Sequence, residues 1–124
     1  MFVVGGFLAL ALIFAVSSTL RSPATVDRLT IRNPTPYAVD VDVTNAGHGG
    51  WLSLGPVSSG ERHDFGSVID QGDRWVVHVT SAGAEGGEFV VRGSDLQRGG
   101  WVITLPDSVG STLTRNGAVP ALRQ

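Results

Sequence analysis

Cysteine and lysine are both absent from this chain of 124 residues. Without cysteine there is no disulfide, no thiolate chemistry and no zinc site built on sulfur. The compartment stays open, because many exported bacterial domains also lack cysteine. The nine basic residues are all arginine, which fits a GC-rich coding bias better than a functional choice. The formal net charge is -2 and the pI is near 5.8, so the basic face that nucleic-acid binding requires is missing. Catalytic signatures are short as well. No Gly-x-Ser-x-Gly elbow occurs. The glycine-rich stretch Gly83-Ala84-Glu85-Gly86-Gly87 has no lysine and carries Glu85, with Glu88 beside it. That disfavours phosphate binding and reads as a hairpin loop.

What the chain does have, first, is an uncharged apolar start. Residues 1–20, MFVVGGFLALALIFAVSSTL, carry no ionisable side chain before Arg21. As a helix rising ~1.5 Å per residue this stretch would be about 30 Å long, the thickness of a bilayer's hydrocarbon core. It reads as a transmembrane helix, an uncleaved signal anchor in contact with membrane lipid. The competing reading is a cleaved signal peptide, since Ala15-Val16-Ser17 offers small residues suitably spaced for cleavage after Ser17. The basic n-region of such a signal is missing. Orientation is pulled two ways. Arg21, Arg28 and Arg32 all follow the span, which by the positive-inside rule places the rest of the chain in the cytoplasm. Small single-anchored β domains are by habit exported, and an extracytoplasmic domain of a single-pass cell-membrane protein is what we expect.

After a linker at 21–25, residues 26–118 alternate like one small β domain, with 119–124 as a tail. The strands expected are Val26–Arg32, Ala38–Thr44, Trp51–Val57, Glu61–Val68, Arg74–Thr80, Glu88–Arg92 and Trp101–Leu105. The cleanest is the second, with Val39, Val41 and Val43 inward and Asp40, Asp42 and Thr44 toward water. In the fifth, Trp75, Val77 and Val79 face in while Arg74, Val76, His78 and Thr80 face out. Asn33-Pro34-Thr35-Pro36 breaks the first strand, and Tyr37 should pack over the sheet end. Asn45–Gly50 reads as a flexible loop. Ser94-Asp95-Leu96-Gln97 matches a capping box for one helical turn. A short C-terminal helix over Asp107–Asn116 would bury Val109 and Leu113 and stop at Asn116-Gly117. Seven short strands with frequent turns favour a small antiparallel β-sandwich.

The outline resembles a group of uncharacterised single-span membrane proteins of actinobacteria. The likeness is carried by Ile31-Arg32-Asn33-Pro34-Thr35-Pro36-Tyr37, by Gly50-Trp51-Leu52-Ser53-Leu54-Gly55, by Ile69-Asp70-Gln71-Gly72-Asp73-Arg74-Trp75, and by Asp95-Leu96 with Gly100-Trp101-Val102-Ile103-Thr104-Leu105-Pro106. These are turns and core aromatics. The resemblance implies the same architecture and brings no activity, ligand or site residue with it.

Three constellations remain. Asp40 and Asp42 would meet His78 if their strands pair, giving an oxygen/nitrogen metal site, although cross-strand pairing on a solvated face is the simpler account. His63-Asp64 with Ser58, Ser59 or Ser67 hints at a nucleophile, yet neighbours on a strand point to opposite faces. Trp51, Trp75 and Trp101 could line a groove, but period-two placement fits core anchors. His48 reads as a solvated loop residue. We therefore expect no catalytic, cofactor-binding or metal-binding residues, no cofactor and no enzyme activity. The chain reads as a membrane-anchored, non-catalytic interaction or scaffold domain with a protein partner in or at the membrane. The alternative is a binding module for a small hydrophobic or envelope ligand. If residues 1–20 are an anchor, mass spectrometry of membrane-extracted protein will show the intact N-terminus. A soluble species beginning at Ser18 would overturn that reading.

Overall fold

The computed structural model of the chain describes residues 24–121; the stretch 1–20 read as a span lies outside them. No helix among the described residues is long and apolar enough to cross a membrane. Two sheets form one sandwich. The first strand, β1 (Thr25–Arg32), begins inside the expected linker and is the centre of a three-stranded sheet. It lies between β4 (Arg62–Ile69), antiparallel, and β7 (Val102–Thr104), parallel. The four-stranded sheet has the order β3 (Leu52–Val57), β2 (Val39–Asn45), β5 (Arg74–Ser81), β6 (Ala84–Arg92), antiparallel throughout. The sandwich is thus not purely antiparallel. The chain returns from β6 through α1 (Gly93–Arg98) and joins the free side of β1 in the parallel sense.

The alternating valines meet across the two sheets. Leu29, Ile31, Val68 and Ile103 from the three-stranded sheet pack against Val39, Val41, Val43, Val57, Val77 and Val79 from the other. Trp75, opposite Asn45 and Val91 near one end of the four-stranded sheet, is fully buried, with Trp101 tilted against it at 6.0 Å between ring centroids. The Trp75 Nε1–H finds no hydrogen-bond partner among the described residues, so the ring contributes by packing alone. Sheets of three and four strands leave β6 partly uncovered, and α2 (Asp107–Arg115) covers it with Val109 and Leu113. Gly86 of β6 is where that helix comes closest. A Cβ there would lie 2.8 Å from the Val79 carbonyl oxygen and 3.2 Å from Leu113. Tyr37 packs over the sheet end as expected, its hydroxyl 2.5 Å from Thr114 Oγ1. The chain after α2 is tied down at two points, Ala118 N–H donating to Leu113 O and Ala121 N–H to Pro36 O.

Several expectations are corrected. Trp51 was expected inward but is 45% exposed. Leu54 is an extra residue in β3, since Ser53 pairs with Asp42 while Gly55 pairs with Val41. The bulge inverts the alternation, so Leu52 rather than Trp51 shares the inner face with Val43. Thr44 and Val76, expected in water, are cross-strand partners and buried. The loop after β2 folds back on them, with Thr44 Oγ1–H donating to Gly50 O at 2.6 Å. That loop is pinned rather than loose, because Asn45 Oδ1 accepts from the Gly47 and Gly49 N–H groups. Strand β6 starts at Ala84, not Glu88, because Ala82-Gly83 turns the hairpin in two residues with positive φ of 49° and 89°. The capping box does not form. The N-cap is Arg92 without a side-chain cap, which puts Ser94 inside α1.

Asn33 is the polar centre of the sandwich. It follows β1, is 1% exposed, and its Nδ2 donates to Tyr37 O at 2.7 Å and Val57 O at 3.1 Å, with Ser58 O at 3.3 Å. Its Oδ1 accepts from Thr35 N–H at 3.1 Å and Thr35 Oγ1–H at 2.6 Å. Asn33→Ala orphans several buried groups at once, each worth about 1–3 kcal/mol. Urea denaturation should register a loss of at least ~3 kcal/mol, and Asn33→Asp a comparable one, because a carboxylate cannot donate. A loss below ~1 kcal/mol for either would show that the amide is not a clamp.

Candidate functional site

The two β-bulges that break the alternation also gather polar side chains on one surface, the outer face of the four-stranded sheet. On β6, Gly86 and Gly87 lie opposite the single residue Val79, so Glu85 pairs with Thr80 and Glu88 with His78. Gly87 takes the extra turn at φ 89°. Both glutamates, three apart in sequence, therefore stand on the outer face. On β2, Asp42 pairs directly with His78 from the other side. The bulge in β3 adds Trp51 to the same face.

His78 is the centre of the cluster. Its Nε2 lies 2.5 Å from Glu85 Oε2, and since a carboxylate only accepts, Nε2 carries the proton. Its Nδ1 lies 3.8 Å from Asp42 Oδ2. Glu85 Oε2 also accepts the Gly87 N–H at 3.1 Å, which holds the glutamate across the bulge. The Trp51 ring sits 5.6 Å from the His78 ring and 5.7 Å from His48. His48 reaches the cluster because it takes a positive φ of 53° in the loop after β2, and its Nε2 lies 3.4 Å from Glu88 Oε1. The result is an exposed indole flanked by two imidazoles, each imidazole backed by carboxylate.

Of the sequence candidates, Asp42 and His78 are brought together, as the strand pairing anticipated. Asp40 is not part of that contact, because it pairs with Thr80. No group of three or more histidine and carboxylate ligands suited to a metal ion occurs among the described residues. His63, Asp64 and the serines do not assemble. His63 packs on Phe65 at 4.6 Å, and Ser59 Oγ donates to Thr35 O. Asp64 lies on the outer face of the other sheet, where it accepts from Thr30 Oγ1 at 2.7 Å. That hydrogen bond, with Arg62, Arg28 and His63 nearby, holds its carboxyl below the ordinary aspartate value against a smaller opposing effect of burial. Trp75 belongs to the core, as expected, whereas Trp101, expected inward at the start of the last strand, lies just before β7 with φ 64° and is half-buried against the core. Sequence reasoning missed Glu85, Glu88 and Trp51 as companions of His78. The only trace was the Gly86-Gly87 pair, a bulge signal inside a run of strand residues.

No protein-family model, curated protein or solved structure matches this chain. Its chemistry must be read from the geometry alone. His78 Nε2 is taken up by Glu85, and its Nδ1 has a single carboxylate, Asp42, 3.8 Å away, so the cluster should bind no ion tightly. An ion at a hundredfold excess over Kd adds about 2.7 kcal/mol, which in a domain of this size moves the melting temperature by well over ~10 °C. Zinc, manganese and calcium should each shift it by much less. A larger shift that His78→Ala together with Asp42→Ala abolishes would make this a metal site.

Proposed function

We propose that the chain is a membrane-anchored, non-catalytic interaction domain whose docking surface is the outer face of the four-stranded sheet. The observation that carries this reading is Trp51, a large aromatic thrown outward by a bulge and held between two histidines. Aromatic side chains of this kind are preferred anchors at protein interfaces because they bring much contact area with a polar tip. The space between the sheets is filled by Trp75, Leu29, Ile31 and the valines. That favours an outward surface over a chamber for a small hydrophobic or envelope ligand. Grooves on the described surface are open and shallow, one of them near 410 Å³ beside Arg28 and Trp101.

Three of the four sheet edges are ill suited to accepting a partner strand, the eight-residue β4 being the fourth. Pro56 interrupts β3, β7 has three residues, and β6 carries the bulge and the cover of α2. Those three edges resist strand addition, and the outward indole favours a face over the remaining edge. The anchor is the apolar stretch 1–20, and the partner is a protein in or at the membrane.

A photo-crosslinking amino acid at position 51 should give protein adducts in intact cells, whereas one at Val119 should not. Trp51→Ala should cost under ~1 kcal/mol of stability, against about 3–5 kcal/mol for Trp75→Ala. Adducts to lipid alone, or none, would overturn the docking reading.

A further inference from the structure

The outer face of the four-stranded sheet is graded along its strands. At one end Arg74 of β5 lies directly opposite Arg92 of β6. One step along, Val76 faces Val90 on β6 and Thr44 on β2. Val90 is 58% exposed, and Trp51 stands at the start of β3 on the same face. The next step carries Asp42, His78 and Glu88, and the last Asp40, Thr80 and Glu85. The surface runs from positive through apolar to negative over about 20 Å, at ~3.3 Å per residue.

Taken alone, one copy leaves this pattern unsatisfied at each level. Like charges directly opposite one another on neighbouring strands are unfavourable, and among the described residues neither Arg74 nor Arg92 is in an ion pair. Four carboxylates crowd the other end, with His48 and His78 as their only basic partners there. Val90 and Trp51 lie bare between the two. A two-fold rotation about an axis through the apolar level satisfies all three. It sets Arg92 of each copy over Glu88 of the other and Arg74 over His78, between Asp42 and Glu88, and brings Val90 against Val90. Self-complementarity of that kind defines an isologous interface, and closed two-fold pairs are the commonest oligomers.

We propose that this face pairs two copies of the chain as a two-fold dimer. The inference deepens the docking reading by naming its partner and rests on that reading. The outer face of the three-stranded sheet lacks the gradient. It carries Arg28, Arg32 and Arg62 around Asp64, so it offers no self-complementary pattern of its own.

The absence of cysteine makes the test clean. In gently lysed cells expressing the full chain, Val90→Cys should give a covalent dimer on mild oxidation. Thr104→Cys, exposed on the other sheet, should stay monomeric. Arg74→Glu with Arg92→Glu should cut the Val90→Cys dimer by about tenfold or more, equivalent to ~1.4 kcal/mol. Asp42→Arg with Glu88→Arg should do the same, and mixing the two charge-reversed copies should restore it. Circular dichroism on each variant checks that the fold is kept. Failure of the mixed copies to recover, with the fold intact, overturns the two-fold pairing. Cross-linking of position 90 to Thr104→Cys of another copy, or only to a different protein, overturns it too while leaving the docking reading standing. If neither position 51 nor position 90 captures any protein, both fall.

Discussion

The side chain of Asn33 sits where the chain leaves one sheet for the other, and the sandwich depends on what it bonds. Its amide reaches the carbonyl of Tyr37 just before β2 and that of Val57 at the end of β3. Its own N–H donates to Glu61 O just ahead of β4. The two crossovers that carry the chain between sheets, at 33–38 and 58–61, are therefore strapped together by one residue. In a buried setting, stripping these carbonyls of the amide donor costs more than any single surface contact returns. Thr35 completes the arrangement by donating to Asn33 Oδ1 and accepting the Tyr37 N–H. Both prolines flanking Thr35 suit this bend, since neither needs to supply a donor.

With the sheets clamped, the outer faces follow from register. Two bulges, one residue each, decide which side chains reach the solvent side of the four-stranded sheet. Without the β3 bulge Trp51 would point into the core, and without the β6 bulge Glu85 and Glu88 would lie on opposite faces. A change of one residue in strand length thus converts an ordinary half-buried sheet into a surface with an exposed aromatic and a carboxylate-backed histidine pair. The same bulge creates the close approach at Gly86 over which α2 seats Leu113. Packing of the helix on one side of β6 and display of the glutamates on the other are two results of one local distortion.

The two outer faces differ in charge. Arginines dominate the three-stranded sheet around Asp64, while the four-stranded sheet separates an arginine pair from a group of carboxylates. The chain as a whole is close to neutral, so its electrostatics lie in distribution and act at short range under physiological salt. A filled interior and shallow grooves fit the proposed reading of recognition by matched surfaces rather than by a pocket.

Period-two alternation in Val39, Val41, Val43 and in Trp75, Val77, Val79 was enough to read the inner faces, because each run is regular and one side must leave water. Leu29 with Ile31, and Val109 with Leu113 on the last helix, were legible for the same reason. The amino-acid sequence by itself therefore determined a small, mainly β sandwich with a short C-terminal helix and a dry core. Tertiary structure alone decided the parallel place of β7, the role of Asn33, the burial of Thr44 and the outward turn of Trp51. Most of these depend on strands distant in sequence, as Asn33 does on Val57 24 residues away, or on a bulge whose position is set by the neighbouring strand. Local patterning reports which side of a strand is apolar. It does not report where the register slips, because that is settled by the competition among strands for one shared core.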